Sequence, residues 1–204
     1  MPPKYNETLG LQHCKVYIFD DSVIISGANL SHDYFTNRQD RYFLIENCPK
    51  LADFYDNLIS NISDFSFDMV STNEFKIGTN WKIHPYKGKY SDYTKAVEDK
   101  MGRFLKSEKI LNEVDENFCQ APKSTEDTWI FPSVQMGLFG IDQDRQMTRT
   151  LLESGVEKSG LKFGTGYFNP TEEYLHSILH KSKSNIDLLM AHPKGKSYIR
   201  KIIY

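Results

Sequence analysis

Short runs of apolar and β-branched residues near the start of the chain are typical of β-strands. Residues 13–19 include Val-Tyr-Ile-Phe, and the Asp-Asp-Ser sequence after them is typical of a turn. Ser22–Ser26 and residues 41–45 have the same composition of β-branched and aromatic residues. The pattern therefore predicts three strands within this region.

Two later stretches repeat their apolar residues at helical spacing. Pro49 stands where a first helical turn accepts proline, and five apolar residues after it share one stripe: Leu51, Phe54, Tyr55, Leu58 and Ile62. A second stripe follows Ser91, which we expect to cap the helix: Tyr93, Val97, Met101, Phe104 and Leu105. Both stretches predict helices with one buried face.

After residue 127 the chain alternates between strand and helix patterns. Strands are predicted at 129–131, 161–168 and 185–190. One helix is predicted to contain Met147, Leu151 and Ser154. The next should be opened by a capping sequence at 169–172 and lined by Tyr174, Leu175, Ile178 and Leu179. The order β-α-β-α-β predicts an α/β fold with a largely buried sheet.

Composition narrows the class of protein. The 204 residues are 39% hydrophobic and 25% charged, which is ordinary for a globular protein and excludes fibrous and disordered classes. The net charge of -2 gives no basic excess, so we expect no nucleic-acid partner. No apolar run approaches the roughly 20 residues of a membrane span, so contact with lipid is expected to be peripheral.

The cysteines and the first residues bear on the cellular setting. The three cysteines, Cys14, Cys48 and Cys119, are an odd number with no close pair, which favours a reducing or intracellular environment. The first residues lack the apolar core of a signal peptide. We therefore expect a targeting segment to be absent or to lie upstream of this chain.

The first predicted strand carries the most informative chemistry, His13-x-Lys15-x-x-x-x-Asp20. Side chains two apart on a strand share a face, so His13 and Lys15 should project together. An imidazole beside an ammonium is favourable when an anion lies between them, and histidine can attack phosphorus or carry a proton. Asp20 has the opposite parity, so we expect it to brace the turn. The alternative is that His13 and Lys15 lie on a merely solvated face.

Gly27 and Asn29 follow the second predicted strand and extend the motif. Glycine permits close approach to the backbone at that point, and the Asn29 amide can hold a phosphoryl oxygen. The motif with these two residues resembles the signature of the phospholipase D superfamily. Residues 26–42 are similar, more specifically, to the eukaryotic phosphatidylglycerophosphate synthases, and residues 127–132 and 165–171 are similar to later parts of them. The resemblance covers most of the chain and is weakest at 70–125 and after 192.

The resemblance implies a fold and a domain organisation. The fold would be a phospholipase-D-like mixed sheet flanked by helices. Residues 1–70 would close one half, 71–126 would connect, and 127–204 would open the second half. The superfamily has two H-x-K motifs that meet in one site, but the other candidate here, His192-Pro193-Lys194, has Ile199 where the aspartate should be, and Pro193 would break a strand ladder. We therefore expect the chain to be a fragment without the second motif.

The resemblance also implies an activity. Members transfer a phosphatidyl group from CDP-diacylglycerol to glycerol 3-phosphate and release CMP, on the path to phosphatidylglycerol and cardiolipin in mitochondria. His13, Lys15 and Asp20 would be catalytic, Asn29 would bind the substrate phosphate, and no cofactor or metal would be required. The alternatives are another phosphodiester enzyme, such as a phosphatidylserine synthase or a nuclease, or an inactive piece that only binds or dimerises.

Three further features have more than one interpretation. Asp40 would orient a catalytic histidine through its ring nitrogen, or form a plain ion pair with Arg38 or Arg41. His176 and His180 are four residues apart without the glutamate of a zinc helix, so a solvated face is favoured over a metal site. A mildly basic stretch could contact anionic headgroups, although a solvated surface is the simpler interpretation: Lys181, Lys183, Lys194, Lys196, Arg200 and Lys201.

Overall fold

The computed structural model describes residues 12–114, 128, 130–166 and 168–192, with backbone only at 110–114. These residues form two compact units. The first contains residues 12–114, 128 and 137–141, and the second contains residues 130–136 and 142–192. Predictions that concern Cys119, residues 115–127, Trp129, Tyr167 or residues 193–204 lie outside the described part.

The first unit begins with a three-stranded antiparallel sheet in the order β1-β2-β3. The strands are β1 (Val16–Phe19), β2 (Ser22–Ser26) and β3 (Tyr42–Ile45), and a short helix α1 (His32–Thr36) lies between β2 and β3. Val23 of β2 is fully buried and pairs with Ile45. Three strands were predicted and three are present, but the first begins at Val16 rather than at residue 13.

Two long helices complete the core of this unit. Helix α2 (Pro49–Asp64) packs on β1 and β2, and α3 (Tyr90–Val114) packs on α2. The Phe54 and Phe104 rings are 5.8 Å apart between centroids, and Val97 and Met101 of α3 are fully buried. Both helices confirm the predicted apolar stripes. The predicted cap at Ser91 is wrong, because α3 already begins at Tyr90.

A hairpin that the sequence pattern did not predict links the two helices. Strand β4 (Phe67–Ser71) pairs antiparallel with β5 (Glu74–Ile77). The hairpin is almost entirely exposed, so the alternation of buried and solvated residues that signals a strand is weak here.

The helices from residue 135 onward are shorter than α2 and α3. The elements of this region are β6 (Gln135–Met136), a 3-10 turn (Gly137–Phe139), β7 (Ile141–Asp142), α4 (Gln143–Glu153), β8 (Gly160–Thr165), α5 (Glu172–His176), a π-helical turn (Ser177–Lys181) and β9 (Asn185–Met190). Strands β8 and β9 are parallel, with Gly160 opposite Asn185 and Thr165 opposite Met190. A helical crossover joins these parallel strands. Most residues of the two strands are exposed, so the prediction of a largely buried sheet for this region is wrong.

Several boundaries in the second unit differ from prediction. Residues 130 and 131 are not in a strand, and β8 ends at Thr165. Helix α5 is capped by Thr171, whose side chain accepts a hydrogen bond from the Tyr174 N–H, because Pro170 keeps Asn169 outside the helix. On α4 the buried leucine is Leu152, whereas Leu151 is 65% exposed.

The described residues thus combine helices with small antiparallel and parallel sheets. The phospholipase-D-like arrangement and the division into halves at 1–70, 71–126 and 127–204 stay predictions. Among the helices of the described residues, none has the length and apolar character needed to cross a bilayer.

Candidate functional site

The candidate site begins just before β1. His13 is exposed, Lys15 is half-buried, and the Lys15 ammonium donates a hydrogen bond to the His13 carbonyl oxygen at 2.7 Å. The lysine therefore folds back on the motif's own backbone. A phosphate that binds here would compete with a single neutral carbonyl for the ammonium.

Cys14 lies close to helix α2. The residue as a whole is exposed, yet burial of its thiol raises the pKa of Cys14. Burial also raises the pKa of Tyr55 on α2, and the Cys14 charge raises it further. Cys14 is therefore near the helix that covers one face of the sheet. Residues 12–15 precede β1, so the shared face of His13 and Lys15 stays a prediction.

Asp40 lies against the backbone of Gly27. A Cβ atom placed on Gly27 would be 3.3 Å from Asp40 Oδ2 and 3.4 Å from Oδ1, so only glycine leaves the carboxylate its full space. Asp40 Oδ1 accepts a hydrogen bond from the Arg41 backbone N–H at 2.7 Å. The register of β2 and β3 accounts for the proximity, because Ser26, next to Gly27, pairs with Tyr42, two residues after Asp40.

Lys15 responds to both burial and charge. Burial lowers the pKa of Lys15, while the nearby negative charges of Cys14 and Asp40 oppose that shift. Lys15, Asp40 and Gly27 are thus brought together at one end of the three-stranded sheet. The sequence pointed to each of them separately but not to their proximity.

Asp20 lies in the two-residue turn between β1 and β2. Its φ of 49° is in the left-handed region, which aspartate tolerates better than most residues. Phe19 and Ser22 form the last pair of the hairpin on either side of it. This is the turn position that the parity argument assigned to Asp20, away from the face of Lys15.

Asn29 follows the buried Ala28 at the end of β2. The Ser26 hydroxyl accepts a hydrogen bond from the Ala28 N–H at 3.0 Å, and the Asn29 carbonyl accepts one from the Ser31 N–H at 2.8 Å. These bonds fix the backbone of the turn. Within the described part of the chain the Asn29 side chain has no hydrogen-bond partner, so its amide is available to a ligand.

The two arginines near Asp40 have other partners. Arg38 pairs with Asp33 at 3.9 Å and its guanidinium lies 4.5 Å from the centre of the Tyr34 ring. The Arg41 guanidinium lies over the Phe43 ring. Among residues 12–114, neither arginine forms an ion pair with Asp40. Orientation of a histidine by Asp40 stays a prediction.

The remaining candidates are exposed surface groups. The rings of His176 and His180 are 5.0 Å apart between centroids, and in the described ranges no cluster of three or more histidine, cysteine, aspartate or glutamate side chains could hold a metal ion. Lys181 and Lys183 are exposed. The other members of the basic stretch lie outside the described residues.

Comparison with known proteins finds curated relatives that share one enzyme name. No protein-family model and no solved structure matches the chain. The human mitochondrial CDP-diacylglycerol–glycerol-3-phosphate 3-phosphatidyltransferase is 35% identical over 97% of this chain and 38% of its own length. The enzyme of the same name from Gallus gallus is 36% identical over 97% of the chain and 39% of its own length.

A more distant organism has a similar protein. The probable enzyme of that name from Dictyostelium discoideum is 36% identical over 97% of the chain and 35% of its own length. The chain spans less than two fifths of the length of these curated relatives. The resemblance predicted from the motif and its flanking residues is confirmed: over 97% of its length this chain is similar to CDP-diacylglycerol–glycerol-3-phosphate 3-phosphatidyltransferases.

Proposed function

We propose that this chain takes part in the transfer of a phosphatidyl group from CDP-diacylglycerol to glycerol 3-phosphate. The products are phosphatidylglycerophosphate and CMP, on the path to phosphatidylglycerol and cardiolipin. The observation that supports the proposal is the His13–Lys15 motif directly before β1, where the Lys15 ammonium donates to the His13 carbonyl oxygen, in a chain similar over 97% of its length to enzymes of that name. Several of those relatives are named mitochondrial, and we propose the same location here.

The proposed chemistry has two steps, with His13 as one of two histidines. In the first, one histidine attacks the phosphorus that carries the diacylglycerol, so a P–N bond forms and the P–O bond to CMP breaks, while the other histidine protonates CMP. In the second step, the histidine that protonated CMP removes the proton from a glycerol 3-phosphate hydroxyl. The hydroxyl oxygen attacks the phosphorus, a new P–O bond forms, and the P–N bond to the first histidine breaks.

Lys15 and Asn29 would stabilise the charge that develops on the phosphoryl oxygens. Among the described residues, the Lys15 ammonium donates only to the His13 carbonyl oxygen and the Asn29 amide is unpaired, so both can turn toward an anion. Asp40 would keep the local charge balanced beside Lys15. In this scheme neither a metal nor another cofactor is required.

Other enzymes of the superfamily would use the same residues, so the acceptor must be tested directly. A synthase of this type releases CMP only when glycerol 3-phosphate is present. A phosphatidylserine synthase needs serine instead, and a nuclease or phospholipase uses water. CMP release measured with each acceptor in turn separates these possibilities.

The decisive variant is His13→Ala in the full-length protein. Loss of a nucleophile or of a general acid–base should lower the rate of CMP release at least about a hundredfold. His180→Ala is the matched control, because this histidine is exposed on the π-helical turn and lies in the other unit. Retained activity in His13→Ala, or CMP release that does not depend on glycerol 3-phosphate, would overturn the proposal.

A further inference from the structure

The β4–β5 hairpin has one apolar face that the first unit does not cover. Residues directly opposite on paired strands share a face, and here the pairs are Phe67 with Ile77 and Met69 with Phe75. Met69 is 68% exposed and Phe75 is 59% exposed. Val70, in the irregular part of β4, is also exposed. Exposed apolar side chains grouped in this way are typical of an interaction surface.

The loop at 78–90 extends this face. The rings of Phe67 and Tyr86 are stacked, with centroids 6.3 Å apart and planes 12° apart, and Tyr86 is otherwise exposed. Trp81 anchors the loop in the core through its contacts with the Phe65 and Tyr93 rings. We call Phe67, Met69, Val70, Phe75 and Tyr86 together the hairpin surface.

Positive charge lies in the loop beside the hairpin surface, whereas the hairpin strands carry Asp68, Glu74 and Lys76, with Lys76 paired to Glu74 at 2.9 Å. Residues 78–90 contain three lysines, Lys82, Lys87 and Lys89, and no aspartate or glutamate. All three lysines are exposed, and none forms an ion pair within the described residues. An apolar group with tyrosine at its edge and unpaired lysines in the adjoining loop matches the chemistry of a bilayer interface, where aromatic rings lie at the headgroups and lysines meet anionic lipids.

We infer that the hairpin surface docks on an anionic lipid bilayer. The inference rests on the proposed function for one point, since a transferase that acts on CDP-diacylglycerol must reach its substrate in a membrane. Aliphatic Met69 and Val70 favour lipid over nucleic acid, because single-stranded nucleic acid is bound by aromatic rings that stack with bases. The three unpaired lysines favour lipid over a second copy of the surface, which would bring like charges together.

Vesicle sedimentation tests the inference with the 204-residue chain itself. The chain should sediment with vesicles of phosphatidylcholine that contain phosphatidylglycerol, and much less with phosphatidylcholine alone. The double variant Met69→Gln with Phe75→Gln should weaken binding about tenfold, because two apolar side chains no longer enter the bilayer. The triple variant Lys82→Gln, Lys87→Gln and Lys89→Gln should bind weakly and lose most of its dependence on salt.

Matched controls come from exposed residues outside the hairpin and its loop. Met147→Gln with Leu151→Gln removes two exposed apolar side chains of α4, and Lys106→Gln, Lys158→Gln and Lys162→Gln changes the net charge by the same amount. Both controls should bind like the unchanged chain. Circular dichroism of every variant verifies that the fold is retained, which we expect because each substituted side chain is exposed.

Three results would overturn the inference. The first is failure of the unchanged chain to bind anionic vesicles, and the second is unchanged binding by the hairpin variants. The third is a dimer or a single-stranded oligonucleotide complex that the hairpin variants disrupt while vesicle binding persists. The vesicles contain no CDP-diacylglycerol, so vesicle binding is measured independently of CMP release. If one proposal fails, the other can still be tested.

Discussion

Lys15 and Lys95 show how differently two lysines of one unit are placed. Burial is the main influence on Lys15 and lowers its pKa, with Cys14 and Asp40 acting against it. Hydrogen bonds to the Asp99 and Glu98 carboxylates raise the pKa of Lys95. The two amines therefore depart from the ordinary lysine pKa in opposite directions.

This contrast predicts a difference in reactivity. At a mildly alkaline pH more of Lys15 than of Lys95 is deprotonated, so Lys15 should be acylated faster per unit of exposure. Trace labelling with acetic anhydride over a pH series, read by mass spectrometry, measures both apparent pKa values. The difference in acylation rate between Lys15 and Lys95 should disappear in the denatured chain. A higher apparent pKa for Lys15 than for Lys95 in the folded chain would contradict the burial of its ammonium.

At the scale of elements, the packing of α3 on α2 forms much of the buried core of the first unit. Met101 is fully buried and lies on the α3 stripe with Val97 and Phe104, while Met69 on β4 is 68% exposed. The same residue type thus occurs in a core and on a surface. This gives an internal comparison of what burial contributes.

Met101→Ala should lower the free energy of unfolding by about 3 kcal/mol, because both the transfer energy and a cavity are lost. Met69→Ala should change it by about 0.5 kcal/mol or less. Urea denaturation followed by circular dichroism measures both. Equal effects of the two substitutions would mean that α3 does not pack on α2 as described.

Gly155, just after α4, is a second element-scale constraint. A Cβ at this position would be 1.9 Å from Ser184 Oγ and 3.1 Å from Ser184 Cβ. Ser184 Oγ also shares a 2.7 Å hydrogen bond with Ser159 Oγ. The end of α4 and the start of β9 are thereby fitted closely to each other.

Gly155→Ala should cost about 1–3 kcal/mol of unfolding free energy, since Ser184 must move and its hydrogen bond is broken. Gly160→Ala is the control, because nothing lies within 4 Å of its new methyl group. Adding Ser184→Gly to Gly155→Ala removes the clashing atoms, so the double variant should be less destabilised than the sum of the single variants. Strict additivity would show that the clash is not the cause.

At the scale of the whole molecule, the helices with strongly periodic apolar residues could be predicted from the sequence. The pairing of the strands could not, because it depends on contacts between distant segments. The apolar stripes of α2 and α3 were sufficient to predict both helices and their buried faces, because several buried residues repeat at helical spacing. The β4–β5 hairpin was missed since most of its side chains are exposed. The parallel pairing of β8 with β9 depends on the crossover between them and is not encoded in either strand alone.

The candidate site divides in the same way. His13, Lys15, Asp20 and Asn29 could be selected from their spacing, because the motif is local in sequence. The position of Asp40 over Gly27 could not, since it depends on how β2 and β3 align across α1. A one-residue change of that register would bring a different residue of the segment before β3 to Gly27.

Because Cys14 lies close to Tyr55, the ultraviolet absorbance of the Tyr55 phenolate can report on charge at the candidate site. Burial raises the pKa of the Tyr55 phenol, and the Cys14 charge raises it further. Cys14→Ser removes that charge, so Tyr55 should ionise at lower pH in a spectrophotometric titration, whereas Cys48→Ser should leave the curve unchanged. Identical curves for Cys14→Ser and the unchanged chain would rule out the coupling. A phosphate bound beside Lys15 would add negative charge next to the same strand, so this phenol offers an optical signal of ligand binding that needs no turnover.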